Sequence, residues 1–444
     1  MITWLRRMFH RLFQNELIRR VVKNSSYLFG ATGISAALSM VQGILVARLL
    51  GVEYYGILGV IIMFTSVINK LASFRMGELV IKYVAQFSEA GDTRRAQAVF
   101  KAAALVEIAA SLVAFGLICA LAPLAATYLA KDPTTTDWFI LYGVIVLANL
   151  VAESSMGLLQ IFDRFRNVAM LTLVQSAVTL ALVTVVFLAH GGMVGVLISY
   201  LVGKTVGALA LSLAALIEAT RRWERGWWRT PLGLLRPQRR ELAHFAVNTN
   251  ISASLSLVNK DSELLWVSFF RGPVETGYYK LALSLANIVQ LPVNPLPQAT
   301  YPELTRQAAR GNWTDVRAML RQGSYLAGGY SLVAMVIVLL IGQPLIYYIY
   351  TPQYLPAYPA LVILLVGYLF ANTFYWRRNI LLALGRADFP ARLSLVLAVL
   401  KVIGILLLVP KYGYLASAAL LSAYYVAGSL ISVMKARALL AQRG

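Results

Sequence analysis

The residues of this sequence best suited to chemistry are charges placed where charges are costly. Arg48, Lys70, Arg75, Lys82, Lys101, Lys204, Lys260, Lys280, Arg377, Arg378 and Lys401 lie within long apolar runs, as do Glu78, Glu107, Glu153, Asp261 and Glu263. An ionised side chain at mid-bilayer costs roughly 2.5–3.5 kcal/mol on insertion scales, so each needs a counter-charge or a watery passage. The cations outnumber the carboxylates, so pairing leaves positive charge over.

Spacing selects among these groups. Arg75, Glu78 and Lys82 are three and four residues apart and share a helix face, which reads equally as a local ion-pair ladder. Asn248, Ser252, Ser256, Asn259 and Glu263 form a polar stripe with Lys260 at its margin and Asp261 off it. Hydrogen bonding between helices would account for the serines; Glu263 and Lys260 are expected to line a cavity. Ser35, Ser39 and Gln42 form a similar face. Lys280, Ser284 and Asn287 share another, followed by Pro292, Pro295 and Pro297, which must interrupt the hydrogen-bond ladder. Tyr368, Asn372, Tyr375 and Asn379 share a face with Arg378 at its flank, whereas Arg377 points away, so Arg378 is the expected ligand.

Other chemistry is excluded. His10, His190 and His244 are scattered, and Cys119 is the single cysteine, so neither a metal cluster nor a disulfide framework is expected. Gly203-Lys204-Thr205 lacks the upstream glycine of a phosphate loop, because position 198 is Ile. No hydrolytic machinery is visible. No cofactor is expected, and the chain reads as not an enzyme.

The elements that carry these residues are membrane helices. With 444 residues, 59% hydrophobic and 13% charged, and a mean hydropathy of +0.69, the chain needs lipid as part of its solvent. The apolar runs lack period-two alternation, so helices satisfy the backbone in lipid. Spans are expected near 24–50, 56–86, 98–124, 138–162, 167–189, 192–217, 243–270, 275–304, 322–349, 357–384, 391–410 and 412–434. The formal charge of +21 then belongs to topology rather than to nucleic acid. Lys and Arg crowd the loops on one side, and the other side holds Lys131, Arg271 and Lys411. The positive-inside rule places both termini in the cytoplasm.

A shift of 221 residues superimposes Gly51 and Gly56 on Gly272 and Gly277, and Gly192 on Gly413; Gly91 and Gly311 match one residue out of step. The chain therefore reads as an all-α integral membrane bundle of about twelve helices in two six-helix repeats around a central cavity. Expected domains are a basic interfacial segment 1–23, a first half 24–220, a basic, Trp-rich linker 221–242, and a second half with tail 243–444. Each repeat has an even number of helices, so the two are parallel, and rocking would expose a site at their interface to alternate sides.

The stretch Asn24-Ser25-Ser26-Tyr27-Leu28-Phe29-Gly30, the turn Val46-Ala47-Arg48-Leu49-Leu50-Gly51 with Tyr55-Gly56, and Gly91-Asp92 resemble the oligosaccharide flippases of polysaccharide biosynthesis. That family shares a superfamily with multidrug extruders and lipid II flippases. The resemblance implies a MATE-like bundle in the bacterial inner membrane that moves an undecaprenyl-pyrophosphate-linked oligosaccharide to the outer leaflet, for O-antigen or exopolysaccharide synthesis. On that basis Arg75, Lys260, Lys280 and Arg378 are expected to bind the pyrophosphate through charge-assisted hydrogen bonds. Asn248, Asn259, Asn372 and Tyr375 would contact the glycan. Glu78 or Glu263 could couple an ion. Partners would be the lipid-linked oligosaccharide, membrane lipids and a polysaccharide polymerase, with the chain itself a monomer. The alternatives are a cation-coupled drug exporter and a non-transporting scaffold of a synthesis complex.

Overall fold

The computed structural model describes residues 16–74, 76–223, 225–256, 262–386 and 388–442, with the side chains of 16–29 and 251–256 left aside. Among the described residues all regular structure is helical. The run Glu16–Ala72 is divided at Gly51, where φ is 70° and ψ is 178°, into α1 (16–50) and the start of α2. After a break at Ser73 and Phe74, α2 resumes as Met76–Glu89. Helix α3 is Thr93–Ala125 and closes in a π-turn, Ala126–Ala130. Helix α4 comes in pieces, Thr136–Gly143, Ile145–Ala148 and Ala152–Ile161. Helices α5 (Phe165–Leu188) and α6 (Gly192–Trp223) lead to the linker turns Trp227–Arg229 and Leu232–Gln238. Helix α7 follows as Arg239–Ser256 and Glu263–Arg271, and α8 as Pro273–Gln290 and Leu296–Ala309. Helix α9 is Trp313–Leu345 with a π-turn at Ile346–Tyr350, and α10 is Ala357–Thr373 plus Arg377–Ala383. The final run Asp388–Ala441 is parted at Gly413 into α11 and α12.

The internal repeat is written into the backbone. Thr93–Ala125 and Trp313–Leu345, the two π-turns, and the restarts at Met76 and Leu296 all lie 220 residues apart. Gly51 and Gly272, Gly91 and Gly311, and Gly192 and Gly413 all have positive φ, a region costly for residues with a Cβ. Three of the four glycine pairs that revealed the repeat in sequence are thus positions that turn the chain.

Eight described stretches are long and apolar enough to cross a bilayer, and two of them, Gly30–Glu89 and Asp388–Ala441, each hold two helices. Helices α7 and α8 carry the polar stripes read from the sequence, whose groups need protein or water beside them rather than lipid.

Compactness groups the described residues into two units, each with its own core. One comprises the described parts of Met1–Leu45, Ile68–Ala122 and Asp137–Ser254; the other comprises Val46–Val67, Pro123–Thr136 and the described parts of Leu255–Gly444. In the first, Tyr83, Phe87, Phe100, Leu158, Trp223 and Trp227 form the core. Glycines let its helices touch: a Cβ on Gly157 would lie 2.7 Å from the Gly77 carbonyl oxygen, and Gly203 and Gly207 face Thr179 and Gln175. The last piece of α4 begins against the buried Glu107 carboxylate, which accepts from the backbone N–H groups of Glu153 (2.8 Å) and Ser154 (3.0 Å) and from Ser154 Oγ (2.6 Å). That satisfies amides a helix start leaves without partners. In the second unit Leu304, Val316, Trp376, Ile380 and Ala436 form a core at one end.

Candidate functional site

Lys280 sits on the first piece of α8 against the start of α2, inside the second unit. The repeat-related glycines make that approach possible, because a Cβ on Gly56 would collide with the Pro273 carbonyl and one on Gly277 with the Val52 carbonyl. Gly59 leaves room for the lysine stem, whose Cδ would be 2.7 Å from a Cβ there. The ammonium donates to the Tyr55 carbonyl oxygen at 3.0 Å and lies 3.9 Å from the Tyr55 ring centroid. Tyr55 is held edge-on by Tyr354, whose hydroxyl donates to the Ala47 carbonyl oxygen at 2.9 Å. Among the described residues no carboxylate pairs with Lys280. It is a sheltered cation with unused donor capacity, able to receive an anionic oxygen.

A second polar centre is closed. Glu263 at the start of the second piece of α7 is 1% exposed and forms an ion pair with Lys401 of α11, itself 4% exposed. Around this unit's polar core, Tyr368 donates to Asn287 Oδ1 at 2.8 Å, Tyr368 stacks edge-on with Tyr425, and Arg377 donates to Ser429 Oγ at 2.6 Å. The buried Tyr279 hydroxyl has no hydrogen-bond partner among the described residues. An ion pair this buried needs further hydrogen bonds to offset its desolvation, so the arrangement is a structural tie first.

The remaining expected residues fall apart into separate surroundings. Arg75, Asn259 and Lys260 lie outside the described residues. Asn248 is exposed and bonded to His244 Nδ1 at 3.1 Å. Asn372 is buried and donates to Ser331 Oγ at 3.0 Å, while Tyr375 packs its hydroxyl against Gly323. The common face expected for Tyr368, Asn372, Tyr375 and Asn379 is interrupted by the break at 374–376. Arg378 is exposed without a partner among the described residues, and Arg377 is the one turned into the bundle. Glu78 is exposed in the first turn of Met76–Glu89. Lys82 lies over the rings of Tyr83 and Phe245.

Broken helices expose carbonyls, and asparagines answer them in both repeats. Asn250 on α7 donates to the Ser73 carbonyl at the break in α2, and Asn379 on α10 donates to the Pro297 carbonyl at the break in α8, the latter at 2.6 Å. The prolines forecast the second break. Ser73-Phe74 carries no such signal, so the first was not foreseen. Tyr55 and the Lys401 partner of Glu263 were also missed as contacts, since a pair 138 residues apart leaves no mark in local spacing.

Among the described residues, long apolar helices with breaks at matching places in the two repeats define a multi-pass membrane protein. A family model described as polysaccharide biosynthesis protein matches residues 21–307, and one described as MatE matches 263–407. The chain belongs to the polysaccharide biosynthesis protein family. It is 22% identical over 346 residues to inner membrane protein YghQ of Escherichia coli (strain K12), covering 78% of this chain and 97% of that one. Its fold resembles the lipid II flippase MurJ in an inward closed conformation, with a TM-score of 0.72, 16% identity and coverage of 92% and 87%. It also resembles an inward-facing MATE family multidrug transporter, with a TM-score of 0.71, 15% identity and coverage of 92% and 95%.

Proposed function

We propose that the chain is an inner-membrane flippase that carries a lipid-linked oligosaccharide, joined through pyrophosphate to an undecaprenyl-type lipid, from the cytoplasmic to the outer leaflet for surface polysaccharide synthesis. Both termini face the cytoplasm, and a polysaccharide polymerase is the expected recipient of the product. The observation that carries the reading is Lys280, a sheltered ammonium held by a carbonyl and an aromatic face with no carboxylate among the described residues. A pyrophosphate entering a low-dielectric passage gains most from such a donor. Arg75, Lys260 and Arg378 are proposed to share the anion, and Asn248, Asn259, Asn372 and Tyr375 to meet the glycan.

The match of 263–407 to the MatE model supports a second reading, export of a cationic compound coupled to an ion through Glu263 or Glu78. Lys401 already compensates Glu263, which favours the first. Neutralising Arg75, Lys260, Lys280 and Arg378 singly and assaying surface glycan in cells lacking the native flippase tests the proposal. Loss in the Lys280 variant supports it; unchanged flipping in all four removes it.

A further inference from the structure

The two repeats treat one equivalent groove differently. In the first unit, the end of α6 and the linker fold over the start of α3. Gln97 donates to the Trp223 carbonyl at 3.3 Å and accepts from Thr230 Oγ1 at 2.7 Å, and Lys101 donates to the Thr230 carbonyl at 3.2 Å. Trp227 fills the space between, 8% exposed, with Phe100 at 5.4 Å between ring centroids. That groove is thus occupied by an apolar ring and by oxygens that answer its cation.

The 220-residue offset of Thr93–Ala125 and Trp313–Leu345 places Arg317 and Arg321 where the first repeat has Gln97 and Lys101. Arg317 repeats the contact to the neighbouring helix end, donating to the Leu440 carbonyl of α12 at 3.0 Å. No described segment folds over it. A groove of about 590 Å³ remains, lined among others by Arg317, Arg321, Arg437, Tyr325 and Trp376. Its floor is fixed, since Trp376 Nε1 donates to Ser324 Oγ at 2.7 Å. Its rim is apolar and outward, with Tyr325 73% exposed and Leu326 beside it 71% exposed. Among the described residues no carboxylate pairs with any of the three arginines. Three guanidinium groups in one recess repel one another unless an anion joins them.

We infer that this groove binds the phosphate headgroup of an anionic phospholipid, with its acyl chains lying along the exposed Tyr325 and Leu326 surface. The lipid would supply what the linker supplies in the first repeat, an apolar body and oxygens facing the cations. Arg317, Arg321 and Arg437 lie on segments that share one core with the helices leading to Arg306, Arg310 and Arg386, a concentration of cations of the kind that attracts anionic headgroups. The cationic segment 1–15, with Arg6, Arg7 and Arg11, has the wrong charge to be the occupant.

The test is lipid retention. Full-length protein is extracted from vesicles of phosphatidylcholine doped with phosphatidylglycerol, and bound lipid is counted by native mass spectrometry. Wild type should keep phosphatidylglycerol through delipidation. Arg321→Gln should weaken retention about tenfold, and the Arg321→Gln/Arg437→Gln pair should abolish it. An Arg306→Gln/Arg310→Gln control, with the same change in net charge on the neighbouring turn, should behave as wild type, with monodisperse elution confirming that all variants fold. Equal retention in the groove and wild-type proteins, or equal loss in the turn control, would overturn the inference. So would displacement of the lipid by inorganic pyrophosphate alone, which would mark a site for a soluble anion.

Discussion

Replacing Lys280 with methionine separates a cargo contact from a structural one. The ammonium makes one charge-assisted hydrogen bond to the Tyr55 carbonyl and one contact to the Tyr55 ring. Such a bond is worth about 1.5–3 kcal/mol and a desolvated cation–π contact about 0.5–2 kcal/mol. Against their sum stands a penalty of several kcal/mol for holding an ammonium out of water without a carboxylate beside it. The opposing effects nearly cancel, and methionine keeps most of the volume. Lys280→Met should therefore change folding stability by less than about 2 kcal/mol in either direction. A bound pyrophosphate, in contrast, loses a charge-assisted hydrogen bond that nothing replaces, weakening its affinity about 10–150-fold. Thermal unfolding of the purified protein reads the first effect, and titration with an isoprenoid-linked pyrophosphate reads the second. A variant that unfolds far below wild type yet binds unchanged would refute the reasoning and make Lys280 a tie to Tyr55.

Gly277→Ala should destabilise by about 1–3 kcal/mol, because its methyl meets the Val52 carbonyl, whereas Gly30→Ala, with open space around it, should not; heat-challenged monodispersity compares them. Glu263→Gln or Lys401→Met alone should cost about 3–5 kcal/mol by removing one side of a buried ion pair, and the Glu263→Leu/Lys401→Met double variant should recover most of it in the same assay. Glu107→Ala should cost about 1–3 kcal/mol and raise hydrogen exchange at the start of the Ala152–Ile161 piece, since three donors lose their acceptor.

Length and apolarity revealed the helices, and glycine spacing revealed the repeat, because a turn that needs positive φ admits few other residues. Gly51, Gly272, Gly192 and Gly413 are where the chain turns, as their spacing implied. Pro292 and Pro295 marked the break in α8, since proline removes a backbone donor. The breaks in α2, α4 and α10 have no proline and depend on tertiary partners such as Asn250. Faces drawn on unbroken helices consequently failed to hold together at Tyr375 and Arg378. Whether a membrane cation is paired depends on residues far along the chain. Lys401 found Glu263, whereas Lys280 found a carbonyl and a ring, and neither choice is written in local periodicity.

The central claim, that a sheltered cation serves an anionic lipid-linked cargo, is tested most directly by reconstitution. Purified protein is placed in vesicles carrying a lipid-linked oligosaccharide, and the glycan reaching the opposite leaflet is followed with a membrane-impermeant lectin. Wild-type protein should make the glycan accessible over time, and Lys280→Met, inserted to the same level, should fall to the protein-free rate. Equal transfer by wild type and Lys280→Met, or none by folded wild-type protein with or without an ion gradient, would contradict it.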